Sequence, residues 1–303
     1  MKKIRFTLLA GLLLGTFLVQ AQIETMYSMY RLNPVITSPA FAGEVEHQGE
    51  ITAMNRQQWA GIQGAPRTMA FTGNFKWKPK TGLAILAMSD IAGPLKISTV
   101  AGDFAYQVKL NDNWKISGGV RVGASTLSLD YDGIQVVDQT DPVFQGDRST
   151  GIKFNTGWGL RLGNTKGTFV AISQPRVISY DFGNVNGGYK DITYHYVNAG
   201  TTLRMSEFIT LMPSFMARIA KDVPVSWDVN VMSRFGNAFE AGLSYRHKDS
   251  YGARLGIQAS PKIYLGYIYE MPISSLSKVT MQSHEIAIRL SIFKKGTQTE
   301  TAK

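Results

Sequence analysis

The chain contains no cysteine, which excludes a disulfide framework, a thiolate metal site and a lipid-modified mature N-terminus. Histidine is scarce, with four in 303 residues. His47, His195, His247 and His284 form no HExxH zinc pattern, and no Gly-x-Ser-x-Gly elbow accompanies them. Ser283-His284-Glu285 are contiguous, so in a strand the His and Glu side chains point to opposite faces and make no catalytic pair. Asp138, Asp141 and Asp147 fit no EF-hand spacing and read as a solvated acidic loop. Gly118-Gly119 and Gly157-Trp158-Gly159 read as bends or tight packing within strands, not phosphate cradles. The expectation is a protein without catalytic residues, metal or cofactor.

Long apolar runs are also missing. Beyond the first twenty residues, nothing approaches the roughly 20 apolar positions a spanning helix needs. The exception is the start, where Lys2, Lys3 and Arg5 precede an apolar core over residues 6–19 and a Val19-Gln20-Ala21 cleavage pattern. That order reads as a signal peptide over residues 1–21. The formal charge of +10 raises the question of nucleic acid, but the basic residues are scattered singly, without a stripe or helix, and export removes the chain from the cytoplasm. No nucleic-acid partner is expected.

What the sequence does have is alternation. In residues 225–235, Val225, Trp227, Val229, Val231 and Phe235 occupy one face, and Ser226, Asp228, Asn230 and Arg234 the other. Residues 239–246, 251–258 and 286–292 repeat the pattern. A period of two with unlike faces means strands with unlike surroundings on their two sides. Repeated along the chain, it predicts an all-β fold: one closed antiparallel β-barrel over residues 49–293, apolar outward and wet inside, of about fourteen strands. Such strands offer lipid only alternate residues, so the mean hydropathy of -0.08 is no objection. Tight turns such as Lys78-Pro79-Lys80 and Asn111-Asp112-Asn113 alternate with longer connections, among them 130–151, 173–191, 220–224 and 271–283. That is the outer-membrane pattern of short periplasmic turns and longer external loops, with His247-Lys248-Asp249 as an exception. Trp77, Trp114, Trp227, Tyr245, Tyr251 and Tyr269 suit interfacial girdles, although strand propensity enriches the same residues anywhere.

Two regions break the rhythm. Residues 22–48 hold Pro34, Pro39 and Gly43, which predict a pinned, extended segment that Tyr27, Tyr30 and Phe41 tuck against or inside the barrel. The first strand, near residues 49–59, is blurred, and the third, near 81–89, is apolar on both faces. A polar tail, residues 294–303, follows Phe293.

The Asn33-Pro34 and Pro39-Ala40-Phe41-Ala42-Gly43 pair, the run from Arg56 to Thr68 (RQQWAGIQGAPRT), and the closing Tyr245-Arg246, Tyr267-Ile268-Tyr269-Glu270 and Ser283-His284-Glu285-Ile286 resemble the PorP/SprF family of type IX secretion outer-membrane proteins of the Bacteroidetes. The resemblance covers essentially the whole mature chain. Ser38 stands where many relatives have Asn, and Phe293 is not terminal, unlike the aromatic of usual barrel insertion signals. The resemblance implies a bacterial outer-membrane barrel supporting secretion, surface delivery or anchoring of a cargo adhesin through its C-terminal sorting domain, together with periplasmic type IX components. In gliding bacteria that role serves motility. An outer-membrane porin or hydrophobic-solute channel is the alternative.

Candidate partner-binding residues are Asn33, Pro34, Pro39 and Gly43 in the N-terminal segment, and Arg56, Gln57, Trp59, Gly61, Gly64 and Pro66 in the loop motif. For that loop, a rigid turn and a contact for cargo or for the N-terminal segment are both open. The polar-face charges Asp103, Lys109, Arg121, Arg161, Asp228, Arg234, Glu240, Arg246, Arg254 and Arg289 are expected to face the lumen. They either neutralise one another or form a ladder for a plug or a passing segment. Charge changes at Asp228 or Arg254 are expected to be milder than Arg placed at Val229 or Leu255.

Overall fold

The computed structural model describes residues 27–130, 149–180, 191–274 and 282–293. The signal peptide, the polar tail and Asp138, Asp141 and Asp147 lie outside them. The described strands are β1 (Gly49–Gln57), β2 (Arg67–Lys78), β3 (Thr81–Ala92), β4 (Leu95–Lys109), β5 (Trp114–Leu129), β6 (Lys153–Asn164), β7 (Phe169–Gln174), β8 (His195–Gly200), β9 (Leu203–Arg204), β10 (Ile209–Ala220), β11 (Val223–Phe235), β12 (Phe239–Arg246), β13 (Ser250–Ser260), β14 (Ile263–Pro272) and β15 (Ser283–Ile292). Apart from β8 and β9, which do not pair with each other, each pairs antiparallel with its sequence neighbours, and β1 pairs with β15 from Gly49↔Ile292 to Gln57↔His284, closing the sheet. β8 and β9 both pair with β10 and form one strand interrupted at Thr201-Thr202, where Thr201 donates its N–H to the Pro213 carbonyl across the break (3.1 Å). The wall therefore has fourteen strands.

Alternation decides which side of the wall is which. Phe71, Ile85, Val100, Val122, Leu160, Val231, Leu243, Leu255 and Ile288 are exposed on the outside, the place lipid occupies. Thr52, Thr72, Asp103, Arg121, Arg161, Asp228, Arg246 and Glu285 are buried on the inside. Among the described residues, no helix is long and apolar enough to cross a membrane. One end carries the tight turns and is the periplasmic end by the outer-membrane rule. At the other end, three connections are shorter than the alternation of turns and loops predicts: Gly93-Pro94, Lys221-Asp222 and the His247-Lys248-Asp249 exception. Lys221-Asp222 replaces the longer connection expected over 220–224. It is tight because Asp222 adopts φ 61°.

The interior holds part of the chain itself. Residues 27–43 lie inside it, and they are not extended. Two prolines start short 3-10 turns, Pro34–Ile36 and Pro39–Phe41, because a fixed φ near −65° suits a first helical position whose N–H would be unpaired anyway. Ser38 caps the second, its hydroxyl accepting the Ala40 N–H. Tyr27, Met29 and Ile36 of this strap pack with Met54, Ala70, Leu86, Ala101, Ile268 and Ala287 of the wall. That contact explains both irregular strands. β1 and β3 turn Met54, Leu86 and Met88 inward onto the strap instead of polar side chains onto water.

Candidate functional site

The strap is anchored along its length. At the loop end, the Glu285 carboxylate accepts the backbone N–H groups of Ser28 (2.9 Å) and Met29 (3.0 Å) and pairs with Arg56 (3.1 Å). Arg56 also pairs with Glu270 (2.5 Å), and Arg246 donates to the Ser28 hydroxyl (2.8 Å), which donates in turn to Glu270. Asp228 joins this cluster through Arg218 (2.9 Å) and Arg246 (3.5 Å). Three guanidiniums face three carboxylates, all essentially buried. Such an arrangement survives burial only because each charge is matched.

In the middle, Tyr30 accepts from Asn230 (2.8 Å) on β11. Asn33 accepts from Thr72 (3.1 Å), and the Thr37 hydroxyl accepts from Asn198 (3.1 Å). Arg121 forms a two-point pair with Asp103 (2.6 and 2.7 Å) and donates to the carbonyls of Val35 and Ile36, absorbing the acceptors the first 3-10 turn leaves open. Ser173 and Ser117 donate to the carbonyls of Thr37 and Ala40 (both 2.8 Å). Glycine permits the close approach: a Cβ on Gly119 would stand 2.4 Å from the Pro39 carbonyl carbon. At the turn end, Gly43 adopts φ 75° and donates to Asn74 (2.6 Å). Glu44 then pairs with Lys115 (2.7 Å) and Arg161 (3.2 Å) before the chain enters β1.

The structure thus divides the candidate residues. Asn33, Pro39 and Gly43 are buried in the strap and Pro34 partly so, turned toward the wall rather than toward an outside partner. Arg56 leaves the loop motif altogether and becomes the interior latch. Gln57, Trp59 and Pro66 are half-buried at the loop end, with Gly61 and Gly64 exposed. Trp59 donates its N–H to the Ser283 hydroxyl (3.0 Å), Ala60 donates to the Gln282 carbonyl (2.9 Å), and Gly93 donates to the Gly64 carbonyl (2.8 Å). The loop is therefore tied down on both flanks. Trp59 adopts φ 48°, a left-handed conformation that a bulky residue rarely accepts without cause.

Of the charges, Asp103, Arg121, Arg161, Asp228, Glu240, Arg246 and Arg254 are buried inside, while Arg234 and Arg289 are partly exposed in the turn-end mouth. Lys109 shares the inward register but lies exposed at the strand's turn-end tip, so it does not line the enclosed lumen. Glu270, Glu285 and Arg218 were missed by sequence reasoning. The signal for Glu285 was its register: His284 faces out, bonded to the Tyr267 hydroxyl (2.7 Å), so its neighbour faces in. At the loop-end mouth of the lumen, Arg176 clamps Asp191 in the β7–β8 connection (2.7 and 2.8 Å). Burial still raises the Asp191 carboxyl above its ordinary range, which the neighbouring guanidinium only partly offsets. Among the described residues, no group of three His, Asp or Glu side chains is placed to hold a metal.

Solved structures resemble this architecture. The CymD monoaromatic hydrocarbon channel superposes with a TM-score of 0.51 at 12% identity, over 86% of this chain and 92% of that one. A Pseudomonas aeruginosa FadL homologue (TM-score 0.49, 11% identity, 84% and 92%) and the Acinetobacter baumannii outer membrane protein Omp33 (0.47, 8%, 81% and 98%) are similar to a lesser degree. At 12% identity the likeness to CymD shows the barrel fold alone. No curated protein sequence matches the chain. The family described as "Type IX secretion system membrane protein PorP/SprF" matches residues 19–290, nearly the full span of the strap and wall. The chain is an outer-membrane member of the PorP/SprF family of type IX secretion system membrane proteins.

Proposed function

We propose that this barrel is a non-enzymatic attachment or assembly component, supporting delivery or anchoring of a cargo adhesin through the cargo's C-terminal sorting domain, with periplasmic type IX components as further partners. The observation that carries this reading over a porin is the strap. A diffusion channel keeps a continuous wet path, whereas residues 27–43 fill this lumen and bond to the wall from β1 to β15. A filled barrel offers its surfaces, and the tied-down loop around Trp59 presents an aromatic at the outward end.

Two measurements test the reading together. Purification in mild detergent brings down a large surface protein bearing a C-terminal domain, and planar bilayers containing the barrel carry no steady current. An ion-conducting barrel that purifies alone would return the assignment to a porin.

A further inference from the structure

We infer that the turn-end mouth carries a docking surface for an acidic periplasmic polypeptide, built from Lys76, Lys78, Lys80, Lys109 and Lys115 at the tips of β2 to β5. The inference deepens the periplasmic part of the proposed function and rests on it for the source of the partner. Lysines from two turns converge there. Lys78 and Lys80 flank Pro79, and the Gln107 N–H donates to the Lys80 carbonyl (2.7 Å), which sets the β2–β3 turn beside β4. On β4, Lys109 lies directly opposite Lys115 of β5. Like charges in facing positions cost stability, so folding alone gives no reason for that pairing.

The acids nearby do not neutralise the cluster. Glu44 is shared between Lys115 (2.7 Å) and Arg161 (3.2 Å). Lys76 donates to the backbone carbonyl of Glu46 (3.0 Å), and Lys78 lies over the Trp77 ring (4.9 Å). Lys80 and Lys109 are exposed, and among the described residues their side chains make no hydrogen bond or ion pair. The Glu46 and Asp112 carboxylates pair with none of these lysines. Lys76, Lys78 and Lys115 line an open cavity of about 390 Å³ where the strap leaves the lumen at Gly43 and Glu44. Lys76, Lys109 and Lys115 share the inward register of Asn74 and Ser117, so they face the mouth and not the lipid around the wall. That favours an acidic chain over a phospholipid headgroup as the occupant. The other half of the mouth differs, because its cavity of about 710 Å³ sets Glu46, Glu50 and Glu240 against Arg234 and Arg289. A cluster of one sign steers the opposite charge toward it. An acidic segment seated there competes with Glu44 for Lys115, at the turn-end anchor of the strap.

The test is binding of dye-labelled hexaglutamate to the folded full chain in phosphatidylcholine nanodiscs, with hexaglutamine as the neutral control. Hexaglutamate alone binds in about 0.05 M salt, and it is released in about 1 M, where the Debye length is about 3 Å. Lys76→Gln, Lys78→Gln, Lys80→Gln and Lys109→Gln together weaken binding about tenfold. Lys96→Gln, Lys221→Gln and Lys248→Gln, at the opposite end, leave it unchanged. Glu44→Gln strengthens it about threefold by freeing Lys115 and Arg161. If the quadruple variant does not fold, Lys80→Gln with Lys109→Gln removes two side chains without partners and weakens binding about threefold. Equal binding by the turn-end variants and wild type, or equal loss in the loop-end variant, overturns the surface. So does stronger quenching of a fluorophore on Gln107→Cys by headgroup-labelled phosphatidylglycerol than by labelled phosphatidylcholine, which assigns the lysines to lipid. Failure here leaves the cargo reading standing, and hexaglutamate binding by a barrel that purifies without cargo leaves the surface standing.

Discussion

Glu285→Ala should free the outer end of the strap without opening the wall. Glu285 is fully buried, accepts two consecutive backbone N–H groups and pairs with Arg56. Removing one partner of a buried pair costs about 3–5 kcal/mol. The lower figure applies, because Arg56 keeps Glu270 at 2.5 Å. The two freed N–H groups add about 1–3 kcal/mol each if they stay buried, a penalty the strap escapes by lifting away. A shift of about 3 kcal/mol toward the undocked state is roughly a 100-fold increase in its population. The absence of cysteine gives a direct readout. With Met29→Cys as the only thiol, buried in the docked strap, an impermeant maleimide should label the Glu285→Ala background about 100-fold faster than the Glu285 background. Unchanged labelling, with the barrel still folded, would refute the latch.

Four further outcomes follow from the same geometry. Arg at Val229 or Leu255 should cost about 2–4 kcal/mol in folding into bilayers. Asp228→Asn, which the sequence alone ranks as mild, should cost about 3–5 kcal/mol because it strips Arg218 and Arg246 of a buried partner; a neutral result contradicts the interior network. Gly119→Val places carbon atoms against Pro39, so proteolysis should reach the strap while the wall keeps its heat-modifiable mobility in gels; equal protection of the strap sinks the packing argument. Trp59→Gly should relieve about 1 kcal/mol of left-handed strain yet reduce cargo display at the cell surface, and normal display removes the proposed role of the loop.

The wall was legible wherever one side meets lipid and the other polar side chains. β11, β13 and β15 show this, with Val231, Leu255 and Ile288 out and Asp228, Arg254 and Glu285 in. β1 and β3 were illegible because a second apolar surface, the strap, waits on their inner side, and the strand pattern does not reveal where a distant segment will lie. The strap's prolines and aromatics marked it as pinned, but its 3-10 turns depend on Arg121 and Ser117 arriving from the wall. Arg56 belongs in sequence to an exposed loop motif, and only register places it inside, two residues from Met54 on the same face. Tight turns within the long-loop end, such as Gly93-Pro94, follow from local φ values that hydrophobic rhythm does not encode.

The strap joins β1 at the turn end through residues 44–48, so a released stopper stays on a short periplasmic leash. Re-closure is then intramolecular, at an effective concentration on the order of millimolar. A competitor for the lumen has to outbind that standing supply, and once it leaves the barrel reseals without any further factor.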